Sequence, residues 1–483
     1  MYLGIDIGTQ SLKVVIADAD LRPLGMGRVP YRPSYPRPGW AEQDPTLWLS
    51  ALRPAIGAAL ASAHVAPSDI KALAICGQLD GCIGVTRDGD AVAPAIIWMD
   101  RRASAETADV DPALVRERAG LVLDATHMAA KIRWSRRHID RAADVAVWHQ
   151  PVSFIVEALT GNRVMDHSLA STTMLYGLAA RTWDASLLTA FGIDPATLPL
   201  LADAHSIAGG LSEKGARLTG LEIGIPVAVG TGDDFSNPLG CGITEPGTVS
   251  VTLGTGEAIS ALSEQLVIDA EMLVETHAFP GGYFHIGNPG WLSGGAISWF
   301  LTTFSVASAA EFSALAASVP PGSDGLLFLP ALSGAMAPRW VSAARGAFYG
   351  ITATHSKSHF ARAILEGTSF AMHDVLDRLD VLGVPTGRIR IMGGGGASDV
   401  WTQIRADLTG KRIETLQEGD ASAMGALVLA VAAAGEAPDI RSASQRLHLS
   451  LAGMEPIIGN RSIYEDSYRR YRDLFAALEP LFG

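Results

Sequence analysis

Cysteine is scarce: Cys76, Cys82 and Cys241 are the only three among 483 residues. So few, in odd number and without metal-ligand spacing, exclude a disulfide framework and a zinc site, and fit a reducing, cytoplasmic setting. Basic residues are also in deficit, with 37 Lys and Arg against 50 Asp and Glu and a net charge of −13. That balance speaks against a nucleic-acid backbone or an anionic membrane as partner, although a local cluster of N–H donors can still hold a small anion. No apolar run reaches the ~20 residues of a membrane span. The most apolar stretch, Ala423 to Ala434, is alanine-rich and predicts a buried helix. The opening residues, Met1-Tyr2-Leu3-Gly4-Ile5-Asp6, have no basic segment, so no secretory signal is expected. The P-loop pattern is missing, and the run Gly393 to Gly396 fails the dinucleotide fingerprint at its last glycine. No HExxH pattern and no Gly-x-Ser-x-Gly elbow occurs, which removes zinc-protease and hydrolase readings.

What is present is a chain with 48% hydrophobic and 18% charged residues, long enough to bury large cores in two or three domains without staples. It opens on a hairpin, with a strand over Tyr2 to Asp6, a turn at Gly8-Thr9-Gln10 and a return strand over Leu12 to Ala17. Asp44 and Pro45 start a helix as N-cap and first helical residue. A strand over Ala72 to Cys76 leads into the loop Gly77-Gln78-Leu79-Asp80-Gly81. The hairpin pattern returns with Thr248 to Leu253, Gly254-Thr255-Gly256 and Glu257 to Leu262. Ile7-Gly8-Thr9 and Leu253-Gly254-Thr255 therefore open two comparable halves, predicting related α/β domains over 1–244 and 245–483. Later, Arg388 to Met392 is a strand, Ser398 caps a helix ended by Gly410, and Asp420 caps the alanine-rich helix.

Three glycine-rich turns follow strands, where backbone N–H groups can approach phosphate oxygens. With both common phosphate motifs absent, matching Thr9 and Thr255 predict two hairpin turns that clamp phosphates across a cleft. Asp6, at the end of the first strand, is placed to hold Mg2+, which takes one or two carboxylates and keeps several waters. The stretch Val227-Ala-Val-Gly-Thr-Gly-Asp-Asp234 delivers two carboxylates at a strand end. Asp233 suits the base that accepts a hydroxyl proton during phosphoryl transfer, while helix capping competes for Asp234. Trp98, Asp100, Arg101 and Arg102 combine an aromatic with charges, suited equally to a sugar pocket or to a surface ion-pair cluster.

These residues resemble the FGGY carbohydrate kinases, and within them look most like the xylulokinases. The resemblance rests on Gly4-Ile-Asp-Ile-Gly-Thr-Gln10, Trp40-Ala-Glu-Gln-Asp-Pro45, Gly77-Gln-Leu-Asp-Gly81 and Pro94-Ala-Ile-Ile-Trp-Met-Asp-Arg101. It continues through Gly230-Thr-Gly-Asp-Asp234, Leu253-Gly-Thr-Gly256, Leu326 to Gly334, Arg345-Gly-Ala-Phe-Tyr-Gly350 and Gly393 to Ser398, in order over nearly the whole chain. It implies an actin-like α/β fold of two ribonuclease-H-like domains around a central cleft that takes ATP and a small sugar. It implies Asp233 as general base, with Asp6 and Asp233 approaching Mg2+ through water. The ATP phosphates are implied at Gly8, Thr9, Gln10, Gly254 and Thr255, with Lys13 near the transferring phosphate. Adenosine contacts are implied at Gly294, Ser298, Gly394 and Ser398, and sugar contacts at Gln78, Leu79, Asp80, Trp98 and Asp100. Dimers are common in families of this kind.

Three departures bear on function. Asp80 stands where xylulokinases carry histidine, and an ionised carboxylate accepts hydrogen bonds but cannot donate to a ketose carbonyl. The resemblance implies phosphorylation of D-xylulose or a related ketose to its phosphate, and Asp80 adds as the alternative a polyol kinase acting on a tetritol such as erythritol or on a pentitol. Ala335-Met336 and Val341 stand where charged residues are usual, which leaves a non-enzymatic sugar sensor as a further reading.

Overall fold

The computed structural model describes residues 1–417 and 419–482. In the first half, β1 (Tyr2–Ile7) and β2 (Ser11–Ala17) form an antiparallel hairpin that sets Asp6 opposite Lys13, and β3 (Pro23–Pro30) extends it. α1 (Pro45–Ala63) starts as its sequence requires, the Asp44 carboxylate accepting the Thr46 N–H with Pro45 in the first turn. Its buried face, including Trp48, Leu52 and Ile56, packs on β2 and β3. β4 (Ala72–Gly77) runs parallel to β1 with Cys76 beside Asp6. After α2 (Met128–His138) and α3 (Pro151–Thr160), β5 (Ile207–Gly210) pairs antiparallel with β6 (Pro226–Ala228), and α4 (Asp233–Gly240) closes the half.

The second half repeats this plan. β7 (Thr248–Leu253) and β8 (Glu257–Ser263) form the hairpin, and β9 (Glu275–Ala278) and β10 (Phe284–Trp291) extend it. Next come α5 (Gly294–Thr303), α6 (Lys357–Val381), β11 (Arg388–Met392), α7 (Asp399–Thr409) and β12 (Ile413–Leu416). α8 (Ala421–Ala433), β13 (Leu451–Met454) and α9 (Arg461–Leu478) follow. The strand orders β3-β2-β1-β4-β6 and β10-β8-β7-β11-β12 share the same senses: antiparallel, antiparallel, parallel, parallel. Beyond the last of these strands each sheet gains one antiparallel edge strand, β5 or β13, and the second sheet also carries β9 on the outside of β10. The fold is thus the expected mixed α/β pair of domains.

Each sheet has its own apolar core, and a third core sits between the halves. α8 lies at its centre: it belongs to the second half in sequence yet packs on β1, β4 and α4 of the first. This contact requires glycine. A Cβ on Gly240 would lie 1.9 Å from the Ala421 carbonyl oxygen, and one on Gly425 2.0 Å from that of Ser236. The two helices cross with their backbones touching, which accounts for the small residues along the alanine-rich segment.

Alternation on the second sheet sorts its side chains. Val249, Val251, Ile259, Ala261 and Ile286 face the core of their own half. Ser250, Thr252, Ser260, His277 and His285 lie on the other face, opposite α4. The loop that lost its expected charges is held by backbone instead: Ala335 and Val341 exchange hydrogen bonds of 2.9 and 2.8 Å, and Asn288 donates to the Met336 carbonyl.

Candidate active site

The strand register assembles the first half of the site. Ile7, Gly77 and Gly232 lie abreast in parallel strands, so Gly8, Gln78 and Asp233 leave the sheet at one end, a step beyond Asp6. Thr231 donates its hydroxyl to buried Asp166 at 2.9 Å, which pins the turn carrying Asp233. Gly232 is the N-cap of α4, and Asp233 Oδ1 accepts the Asp234 N–H at 3.1 Å. Neither aspartate caps the helix through its side chain, and Asp234, expected as a cap, lines the space between α4 and the second sheet instead.

Asp6 is 5% exposed, and its Oδ1 has no hydrogen-bond partner among the described residues. Lys13 Nζ lies 3.5 Å from Asp6 Oδ2 and 2.6 Å from the Asp420 carboxylate. Burial raises the Asp6 carboxyl, and Asp420 and Asp233 add to the effect while Lys13 opposes it. Burial likewise raises Asp233, followed by repulsion from Asp234. Asp6 and Asp420 thus share one ammonium, with the Asp233 carboxylate close enough to repel Asp6, an arrangement that a further cation relieves. Among the described residues no three His, Cys, Asp or Glu side chains are grouped to hold a metal unaided. Mg2+ does not need such a group when phosphate oxygens and water complete its shell, and the unpaired Asp6 Oδ1 fits that use. Lys13, expected beside the transferring phosphate, is held by Asp420 and Asp6, and its donors face this cluster.

The two turns come next. At the first, the Gly8 N–H donates to the Ser11 carbonyl at 3.1 Å. Thr9 Oγ1 accepts the Trp98 Nε1–H at 3.0 Å, and its carbonyl accepts from Gln43 at 2.7 Å. Gln10 is exposed beside them. At the second, the Gly254 N–H donates to the Gly256 carbonyl, and the Thr255 carbonyl accepts from the Gly295 N–H at 2.8 Å. A Cβ on Gly294 would sit 2.1 Å from the Gly254 carbonyl oxygen, so α5 abuts the turn only because that residue is glycine. Ser298 is exposed one turn further along α5 and donates to the Gly294 carbonyl. Within the glycine run, Gly393 and Gly395 press on Leu253, whereas Gly394 has open space where a side chain would be. Ser398 occupies the N-cap position of α7, but its hydroxyl pairs with that of Ser313 at 3.1 Å instead of capping the helix as expected.

Gln78 and Asp80 head the substrate side. Gln78 Nε2 donates to Gln43 Oε1 at 2.6 Å, and buried Gln78 Oε1 has no partner among the described residues. Gln43, quoted within the Trp40 to Pro45 motif but given no role there, therefore ties the first turn to this loop. Leu79 lies against Gly232. Asp80 adopts φ 56°, held by its N–H to Gln150 Oε1 at 2.8 Å and by buried Lys131 on its carbonyl at 2.5 Å. Its carboxylate lies 3.4 Å from His127 Nδ1, and His127 Nε2 lies 3.8 Å from Glu275 of the second half. Burial lowers the affinity of His127 for its proton, but Asp80 and Glu275 outweigh it and hold the ring well above its ordinary value. A histidine thus sits under Asp80, where the motif itself lacks one. Long-range partners such as Gln150, His127 and Asp420 leave no signal at the motif's own spacing.

Trp98 is 44% exposed and reaches Thr9, which joins it to the first glycine turn. Asp100 is a correction. It is fully buried, its oxygens taken by Arg102 at 2.7–2.9 Å and by the Ala41 N–H at 2.6 Å. Arg102 also stacks 3.7 Å over Trp40. Such a saturated carboxylate has no lone pair left for a sugar and acts by anchoring the Trp98 loop.

Residues 1–240 match the N-terminal domain of the FGGY family of carbohydrate kinases, and residues 249–434 its C-terminal domain. A glycerol kinase of Thermococcus kodakarensis is 31% identical over 440 residues, 89% of this chain and 87% of its own. A xylulose kinase of Escherichia coli is 29% identical over 491 residues, covering all of both chains. The crystal structure of a xylulose kinase from Rhodospirillum rubrum superposes with a TM-score of 0.90 at 29% identity, over 99% of each chain. No helix among the described residues is long and apolar enough to cross a membrane.

Proposed function

We propose that this chain, which belongs to the FGGY family of carbohydrate kinases, transfers the terminal phosphoryl group of ATP to a hydroxyl of a small, neutral, polyhydroxylated substrate. It is an enzyme, a phosphotransferase of carbohydrate type. The observation that carries the substrate reading is the lining beside Asp233. Asp80, Asp234 and Gln78 Oε1 supply acceptors to one region, and burial together with Asp80 raises the Asp234 carboxyl. Lys131 is committed to the carbonyls of Asp80 and Ile97. Such a wall favours hydroxyl donors and disfavours an anionic substrate such as an aldonate. It favours a tetritol or pentitol over a ketose, whose carbonyl needs a donor. Similarity over the full length to a xylulose kinase supports D-xylulose as the second reading.

Asp233 stands at the sheet end beside Gln78, where a substrate hydroxyl held by Gln78 and Asp80 meets its free oxygen. A raised carboxyl is a better proton acceptor than an ordinary one, so Asp233 takes the hydroxyl proton as the phosphoryl group arrives. The Gly8-Thr9 and Gly254-Thr255 turns orient the phosphates from the two halves, and open space at Gly394 accepts the nucleoside. Asp6 would hold Mg2+, which would supply charge neutralisation for the transfer. The test is ADP release across glycerol, tetritols, pentitols, D-xylulose and gluconate, with Asp233→Ala alongside. A polyol substrate whose turnover vanishes in the variant supports the reading. Gluconate as the best substrate overturns it.

A further inference from the structure

Beyond Asp80, Asp234 lines a second, smaller space. Its other walls include Ser250, Thr252, Ser260, His277 and His285, the polar face of the second sheet. The cavity measures about 30 Å3, room for one or two water-sized groups. His285 is 8% exposed, and neither of its ring nitrogens has a partner among the described residues. His277 Nδ1 also lacks one there. Three unpartnered imidazole nitrogens around one small cavity are unusual, because buried polar groups are almost always hydrogen-bonded. Packing, not hydrogen bonding, orients His285: Phe279 stacks on it at 6.0 Å and Phe235 meets it edge-on at 5.2 Å. Burial lowers both rings, His285 to about 3, so they are neutral at physiological pH. A neutral imidazole offers one donor and one acceptor, the same pair that an alcohol presents.

We propose that this cavity is a distal recognition site for a substrate hydroxyl, in which His277 and His285 of the second domain read the end of the molecule remote from the phosphorylated group. The proposal rests on the kinase reading above and adds chain length to it. The reacting hydroxyl lies at Asp233 and the cavity begins at the next residue. A substrate that engages both must therefore run from the first domain's strand ends to the second domain's sheet. A four- or five-carbon polyol carries a hydroxyl farther from the reacting one than glycerol can. Occupancy by one molecule also draws the two domains together, which excludes water from the transfer.

The experiment measures kcat and KM on the full chain with glycerol, erythritol, ribitol, xylitol and D-xylulose, for wild type, His285→Phe, His285→Gln and His277→Phe. His285→Phe keeps a ring between Phe235 and Phe279, and thermal unfolding checks each variant's fold. The expected result is at least a tenfold fall in the five-carbon to three-carbon ratio of kcat/KM in His285→Phe, carried by KM, with part of it restored in His285→Gln. An unchanged ratio in every folded histidine variant overturns the proposal and leaves the kinase reading intact. Wild type without turnover of any panel member overturns the kinase reading instead. Calorimetry with ribitol and xylitol then decides for the cavity alone: binding weakened tenfold by His285→Phe or His277→Phe supports it, and equal or absent binding overturns it.

Discussion

The two hairpins occupy equivalent places in equivalent sheets, yet they carry different chemistry. Asp6 precedes the first glycine turn by two residues and pairs with Lys13. Its counterpart before the second turn is Thr252, which pairs with Ala258. Gly4 corresponds to Ser250 in the same way. On the first sheet this face is covered by α8, and Gly4 lets the helix backbone approach. On the second sheet it stays polar and borders a cavity. One backbone plan thus holds a Gly-Thr hairpin turn twice. Carboxylates gather at the turn end of the first sheet, and hydroxyl-bearing and imidazole groups gather on the second.

Substitutions that erase this asymmetry test it. The largest effect is expected for Asp233→Asn, which keeps the shape and removes the base. Loss of a general base typically costs about 10^2–10^4-fold in rate, so steady-state kinetics should show that fall in kcat with KM nearly unchanged. A fall of less than threefold would place the base elsewhere. Gly4→Ser gives the first sheet the residue of the second. A Cβ there would lie 2.3 Å from the Ala423 carbonyl oxygen, and overpacking of this kind costs roughly 1–3 kcal/mol. Calorimetric unfolding should show a lower Tm, by roughly 5 °C, while Ser250→Gly should move it far less.

Asp80→His restores a donor to the substrate loop. The ratio of ketose to polyol kcat/KM is expected to rise about tenfold, the worth of one hydrogen bond to the substrate. Equal ratios for variant and wild type would remove Asp80 from substrate selection. The smallest effect concerns pH. Asp233 must be ionised to accept a proton, and burial with Asp234 raises its carboxyl. Activity is therefore present above that raised value and lost as pH falls through it, nearer neutrality than an ordinary aspartate. Asp234→Asn removes the repulsion, so the acid limb of kcat should move to lower pH, by about half a unit. A limb that stays in place or moves upward would contradict the assigned coupling.

Much of the fold was legible in the sequence because it is written locally. Alternation marked β1, β2, β7 and β8, and Asp44-Pro45 marked the start of α1. Gly8-Thr9, Gly254-Thr255 and Asp233 stood out because their chemistry depends on adjacent residues. Asp100 misled for the same reason: beside Trp98 and two arginines it looks like a sugar ligand. Only the approach of Ala41 and the fold-back of Arg102 show its oxygens to be spent.

By itself, then, the sequence determined the repeated α/β plan, the two turns and the placement of Asp6 and Asp233 at strand ends. These follow from dihedral preference, side-chain periodicity and short motifs, which act over a few residues. Tertiary structure alone decided that α8 packs on the other half's sheet and that Lys13 is shared by Asp6 and Asp420. It also put His127 beneath Asp80, and His277 and His285 behind Asp234. Each of these depends on which distant surfaces exclude water together, and burial decides whether a charge is paired or an imidazole is neutral.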